Sequence, residues 1–190
     1  MTSKLFLDNY FSDFQSVISE FLKEDKNKNA LEDAITLINS SNNKNKIFII
    51  GNGGSASVAE HIAIDLTKNA GLNAVSFSSA STVTTFANDF GYENLFKKGL
   101  EHYANNGDIL IAISGTGTSK NILKACHYAK ENEIKIITLS GFNYDNPLSS
   151  LGDINFWVNS KAFGYLEIIH TLLLHYINDA IIGNSEYMIR

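Results

Sequence analysis

Apolar residues along the N-terminal part of the chain recur at spacings of three and four. Phe11, Phe14, Val17, Ile18 and Phe21 form one helical stripe, and Leu31, Ala34, Ile35 and Ile38 a second. The polar run Lys23-Glu24-Asp25-Lys26-Asn27-Lys28-Asn29 between them reads as a solvated corner. Beyond it the period changes. Ile47-Phe48-Ile49-Ile50 and Ile109-Leu110-Ile111-Ala112-Ile113 are short unbroken apolar runs bounded by turn residues, the mark of strands buried on both faces. Weaker strand signals fall at 74–77, 135–139 and 154–158. Helical patterns run from the first glycine-rich loop to about 69, over 93–104, over 120–132 and over 165–182, and 81–87 reads as helix or loop. Strands alternating with helices predict an α/β protein, a doubly wound parallel sheet flanked by helices on both faces, with an N-terminal helical hairpin. The length of 190 residues suits one domain over 1–190, with the hairpin in 1–45 and the α/β core in 46–190.

Charge and composition narrow the partners. Fifteen Lys+Arg against 20 Asp+Glu give a net charge of −5, without the basic stripe of a nucleic-acid binder. The single cysteine, Cys126, excludes an internal disulfide framework and any multi-cysteine zinc module. Asp8 interrupts the N-terminus too early for a signal peptide, and no apolar run approaches the ~20 residues of a membrane helix. The expectation is a cytoplasmic protein with neither nucleic acid nor membrane as partner.

Two loops carry the chemistry. Gly51-Asn52-Gly53-Gly54-Ser55 follows a buried strand and opens a helix, where backbone N–H groups and the positive end of the helix dipole face an anion. Taken alone, a tight turn needing positive φ explains it equally well. It lacks the Gly-Lys-Ser/Thr ending of a P-loop, and Ala56 breaks the dinucleotide fingerprint. The second loop, Ser114-Gly115-Thr116-Gly117-Thr118-Ser119, also joins a strand to a helix and brings four hydroxyls and two glycines. Ligands of open α/β sheets bind at the carboxyl ends of strands, where both loops lie, so a phosphate monoester is expected between them. Asn52 and Asp89 are candidate partners for sugar hydroxyls. His61 and Asp65 stand at i, i+4 on one helical face. Such a pair is more often a simple hydrogen-bonded pair, and the loop before it favours the functional reading. His170 reads as a core or interface histidine, His102 and His127 as exposed without function, and Cys126 and Trp157 as packing.

These blocks together resemble the sugar isomerase (SIS) family, in its phosphoheptose isomerase branch. The resemblance runs through Gly51-Asn52-Gly53-Gly54-Ser55, Ala59-Glu60-His61, Asp65-Leu66-Thr67, Asn88-Asp89-Phe90-Gly91-Tyr92, the 114–119 loop, and His170 and His175 on the last helix. It implies a tetramer with active sites between subunits. It implies an aldose–ketose isomerase that interconverts sedoheptulose 7-phosphate and D-glycero-D-manno-heptose 7-phosphate through an enediolate, for surface-polysaccharide heptose. Asp65 would be the base and His175 the acid. The substrate would be held by Asn52, Gly53, Gly54, Ser55, Asp89, Ser114, Gly115, Thr116, Ser119 and Glu167. Zinc would be held by His61, Asp65, Glu167 and His175, a donor set that also suits manganese, iron or nickel. The chain has Asp65 where the family usually has Glu, Glu167 where it has Gln, Gly115 where it has Thr, and Lys68-Asn69 where it has Arg. The alternative is a non-catalytic SIS-type phosphosugar regulator, or an oligomeric adaptor of a replication initiator.

Glu167 and His175 lie eight residues apart on one expected helix. That is ~12 Å of rise and ~80° of rotation. Ligand atoms on one zinc ion lie within ~4 Å of one another, so these two residues reach one metal only from different chains.

Overall fold

The computed structural model describes residues 3–41 and 44–186. Helices α1 (Ser3–Lys23) and α2 (Asp25–Asn39) form the expected hairpin, but its corner is Glu24 alone. The predicted solvated link over 23–29 is helical on both sides of that residue. Asn27 explains the difference. It turns inward, is buried, and its Nδ2 donates to the Phe21 carbonyl at 2.8 Å, satisfying an acceptor that the end of α1 leaves free. The stripe on α1 also divides. Phe21 is buried, and Phe14, Val17 and Ile18 pack against the core, while Phe11 stays 62% exposed alongside Leu5 and Phe6.

The rest of the chain alternates as β1 (Ile47–Ile50), α3 (Gly54–Lys68), β2 (Ala74–Ser76), α4 (Ala80–Phe90), α5 (Leu95–Tyr103), β3 (Ile109–Ser114), α6 (Lys120–Glu131), β4 (Lys135–Ser140), β5 (Ile154–Trp157) and α7 (Phe163–Ile182). The five strands are all parallel, in the order β2-β1-β3-β4-β5. β1 and β3 pair in register from Ile47 opposite Ile109 to Ile50 opposite Ala112. Side chains of each strand alternate between two cores. Ile47, Ile49, Ile109 and Ile111 face α2, α3 and α7, whereas Phe48, Ile50, Leu110 and Ala112 face α5 and α6. This is the doubly wound α/β architecture expected from the pattern.

The strand order reverses between β1 and β3, opening a crevice at their carboxyl ends. The two glycine- and hydroxyl-rich loops leave the sheet at these two strands. α4 runs further than expected and absorbs Asn88, Asp89 and Phe90. The Ser79 side chain caps its start by accepting from the Thr82 N–H. Short 3₁₀ turns occupy Tyr92–Asn94 and Pro147–Ser150, and α7 starts two residues earlier than its apolar pattern predicts. Among the described residues no helix is long and apolar enough to cross a membrane.

Candidate active site

The first loop takes its shape from Gly53, at φ 57° and ψ −125°, a conformation that side-chain-bearing residues avoid. The Ser55 N–H closes the turn onto the Asn52 carbonyl at 3.1 Å. The Ala56 and Ser57 N–H groups turn back onto the Gly53 carbonyl at 3.0 and 3.3 Å, which leaves Gly53 and Gly54 at the mouth of the crevice. In the second loop, Gly117 N–H donates to the Ser114 carbonyl at 2.9 Å. Ser114 Oγ donates to Ser119 Oγ at 3.1 Å, and the Thr116 and Thr118 hydroxyls lie 2.8 Å apart. Between the loops is a cavity of about 350 Å³, lined by Asn52, Gly53, Gly54, Ser55, Ile113, Ser114, Gly115, Thr116 and Ser119 and closed by Phe163, Leu166, Glu167 and His170 of α7. It offers hydroxyl and backbone donors and no lysine or arginine, which suits an anion that must be released again.

All but one of the expected substrate residues therefore meet in this cavity. Asp89 does not. It is exposed on α4 and accepts from its neighbour Asn88 at 2.8 Å. Asn52 has a second role that the sequence did not reveal. Its Nδ2 donates to Asn121 Oδ1 at 2.9 Å, and its Oδ1 accepts from Asn121 Nδ2 and from the Tyr92 hydroxyl, each at 2.8 Å. Asn121 is buried at the start of α6. This amide pair ties the loop after β1 to the helix after β3 across the switch point. Tyr92 stood inside a motif already singled out, but a lone Asn in a first helical turn gave no signal for Asn121.

A second constellation lies further along α3 and α7. Asp65 Oδ2 is 3.4 Å from His61 Nε2 and 3.5 Å from His175 Nδ1. The two imidazoles meet edge-on with centroids 5.3 Å apart. Asn69 Nδ2 donates to the other Asp65 oxygen at 3.2 Å, so residues 61, 65 and 69 continue one face of α3. Glu167 is not part of this cluster. It sits a helix segment away, in the cavity, as the rise of a continuous α7 requires. One ligand atom each from His61, Asp65 and His175 lies within 4.8 Å of the other two. Two imidazoles and a carboxylate at this spacing fit a zinc ion at the cost of small side-chain movements.

His170, one helical turn past Glu167, is buried as expected. Its Nε2 faces the Ser140 carbonyl at 3.3 Å and its Nδ1 has no partner. Burial lowers its pKa to about 4, against the opposing pull of that carbonyl, so the ring is neutral. Cys126 is a core residue whose thiol burial raises to about 12, leaving it inert. A larger cavity of about 690 Å³ between the hairpin and β5 contains neither loop and none of the clustered residues.

The sheet order, the two loops at its switch point and the hydroxyl-lined cavity define an α/β sugar-phosphate-binding protein. Residues 9–141 match the SIS domain, and the chain belongs to that family. Its relatives narrow the branch to the phosphoheptose isomerases. It is 40% identical over 151 residues to a phosphoheptose isomerase of Helicobacter pylori strain P12, covering 76% of this chain and 78% of that one. It is 34% identical over 179 residues to the one from Buchnera aphidicola subsp. Acyrthosiphon pisum, covering 86% and 92%. The structure of a phosphoheptose isomerase from Neisseria gonorrhoeae superimposes with a TM-score of 0.88 at 28% identity, over 95% of this chain and 99% of that one.

Proposed function

We propose that the protein is an aldose–ketose isomerase that interconverts sedoheptulose 7-phosphate and D-glycero-D-manno-heptose 7-phosphate. The observation that carries this reading is Asp65 held between His61 and His175 on the helix whose first turn lines the phosphate cavity. Its setting is a family whose named relatives are phosphoheptose isomerases. The reaction moves a proton between adjacent carbons. It needs a positioned base, a proton donor at the oxygens and a grip on the remote phosphate. The hydroxyls of Ser55, Ser114, Thr116 and Ser119 donate to the phosphate, with the N–H groups of Gly53 and Gly54. Asp65 takes the proton from carbon, oriented by Asn69 on one oxygen and the two imidazoles on the other. His175 returns a proton at the oxygens. Zinc, held by His61, Asp65 and His175, would polarise the substrate oxygens and stabilise the enediolate.

Distances along α3 support a site shared between chains. Ser55 and Asp65 are ten residues apart, a rise of ~15 Å. From the phosphorus of a seven-carbon sugar phosphate to its C2 is ~9 Å at ~1.3 Å of advance per bond. One chain's cavity therefore pairs with the cluster of a second copy, which would also bring Glu167 to that cluster as a fourth ligand. Ile64 on α3 and Ile168, Leu172 and Tyr176 on α7 are exposed beside the cluster and supply an apolar surface for that contact. The assembly is a tetramer in this reading, working in the cytoplasm to supply heptose for a surface polysaccharide. Mixing two inactive proteins tests the sharing. A Ser55→Ala/Thr116→Ala chain lacks the cavity donors and an Asp65→Ala chain lacks the base. Co-refolded, they should regain activity, whereas Asp65→Ala with His175→Ala should not. No recovery in the first mixture would place the whole site in one chain.

A further inference from the structure

The second loop of the cavity, 114–119, is backed by the segment that follows β4. The Gly141 N–H donates to the Gly115 carbonyl at 2.9 Å, and the Leu148 N–H to the Gly117 carbonyl at 3.1 Å. Neither donor lines the cavity, so both carbonyls are engaged from outside it. A carbonyl oxygen turned toward a phosphate would repel it, and these two bonds favour the loop conformation that presents hydroxyls instead. Asn146 stands at the centre of the backing segment and is 3% exposed. Its Oδ1 accepts from the Ser149 N–H at 3.1 Å, which caps the 3₁₀ turn Pro147–Ser150. Its Nδ2 donates to the Asn143 carbonyl at 2.8 Å and to Ser140 Oγ at 3.1 Å. Ser140 is the register partner of Ser114, where the loop begins. At the middle of the loop, a methyl group on Gly117 would overlap the Asn146 amide, so that amide fills the space beside the glycine. Gly117 itself holds φ 67°, a conformation that favours glycine.

We propose that Asn146 is a positioning residue for phosphosugar binding, which holds the 114–119 loop in its binding conformation from outside the cavity. The inference rests on the phosphate reading of the cavity. Asn146 does not line the cavity, so its effect reaches the ligand only through Thr116 and Ser119. Two glycines in six residues leave the loop backbone free to sample many conformations. Ordering such a loop at the moment of binding weakens affinity, and ordering it beforehand restores that affinity. Asn146 orders it at two points, through Ser140 at its start and against Gly117 at its middle. Capping the 3₁₀ turn is a separate contribution, made to the backing segment alone.

The test is calorimetric titration of inorganic phosphate into the wild-type protein and the Asn146→Ala, Asn146→Ser and Ser55→Ala variants, under conditions where urea unfolding curves show each chain fully folded. Asn146→Ala removes both the cap and the amide beside Gly117. Asn146→Ser keeps an oxygen that caps the 3₁₀ turn but lacks the amide, and it carries the test if the alanine variant does not fold. Both should bind phosphate about tenfold more weakly than the wild type, with Asn146→Ser recovering stability but not affinity. In turnover of sedoheptulose 7-phosphate the loss should fall on KM, with kcat within a few-fold. Ser55→Ala should also bind phosphate more weakly. Wild-type affinity in Asn146→Ser beside weaker binding in Ser55→Ala would reduce Asn146 to a cap, overturning its role and leaving the phosphate cavity standing. Unchanged affinity in Ser55→Ala would overturn both.

Discussion

The phosphate cavity and the His61–Asp65–His175 cluster use the same two helices in opposite ways. The cavity is made at the ends of elements, from backbone and hydroxyl groups in two stretches that are each continuous in sequence. The cluster is made in mid-helix, from two imidazoles that converge on one oxygen of Asp65. The cavity offers neutral hydroxyl and backbone donors. The cluster gathers two imidazoles and a carboxylate, a donor set of the kind that holds a metal ion. On the proposed reading affinity and chemistry reside in separate places on one scaffold, and each can be broken while the other survives.

The largest separation should come from Asp65→Asn. The amide keeps the size and the Asn69 contact but cannot take a proton from carbon. We expect turnover to fall by ~1,000-fold or more, within the range for a lost general base, with phosphosugar affinity nearly unchanged. Exchange of substrate C–H with solvent deuterium reports it, and persistence of that exchange would move the base to another residue. The complementary variant, Ser55→Ala/Thr116→Ala, should raise KM by ~100-fold and leave kcat within a few-fold. It loses two hydrogen bonds to a charged group, each contributing ~1.5–3 kcal/mol before partial replacement by water.

His170 sharpens the comparison, because it shares α7 with His175 but belongs to the packing. Burial lowers its pKa in the folded protein to about 4 from the ordinary imidazole value of 6.5. Above the unfolded value both states are neutral and the ring has no effect on the pH dependence. As pH falls towards about 4, only the unfolded chain takes up the proton, so stability is lost through that window. Between pH 7 and 4.5 the wild type should lose roughly 2–3 kcal/mol more than His170→Asn, read as the difference in the slopes of denaturant midpoints against pH. Parallel profiles would contradict the burial of a neutral ring. The smallest effect is expected at Asn121. Asn121→Ala releases Asn52 from the switch-point brace and should weaken phosphosugar binding by ~3–10-fold, with kcat changed less than KM. The Asn52→Ala/Asn121→Ala double variant should be little worse than Asn52→Ala alone, since both substitutions remove the same contact.

What was legible in the sequence follows the same division. The sheet was legible because Ile47 to Ile50 and Ile109 to Ile113 are unbroken apolar runs, and the cavity because each loop is continuous. The cluster was half legible. His61 and Asp65 announce themselves at i, i+4, but His175 lies 110 positions further on and entered only through family resemblance. The corner at Glu24 was misread because polarity alone does not separate a solvated turn from a helix with an inward Asn27. Asn121 was invisible because its partner, Asn52, belongs to a different loop. The metal reading of Glu167 came from resemblance, whereas its place against Gly54 depends on the packing of α7 on α3.

One assay bears most directly on the isomerase reading. The purified protein is incubated with sedoheptulose 7-phosphate in deuterium oxide, and the products are followed by NMR. The account predicts an aldose 7-phosphate with solvent deuterium at C2, absent with Asp65→Asn. A protein that binds the ketose phosphate through Ser55 and Thr116 yet returns it unchanged and unlabelled would contradict it, and would make this cavity a sensor rather than an active site.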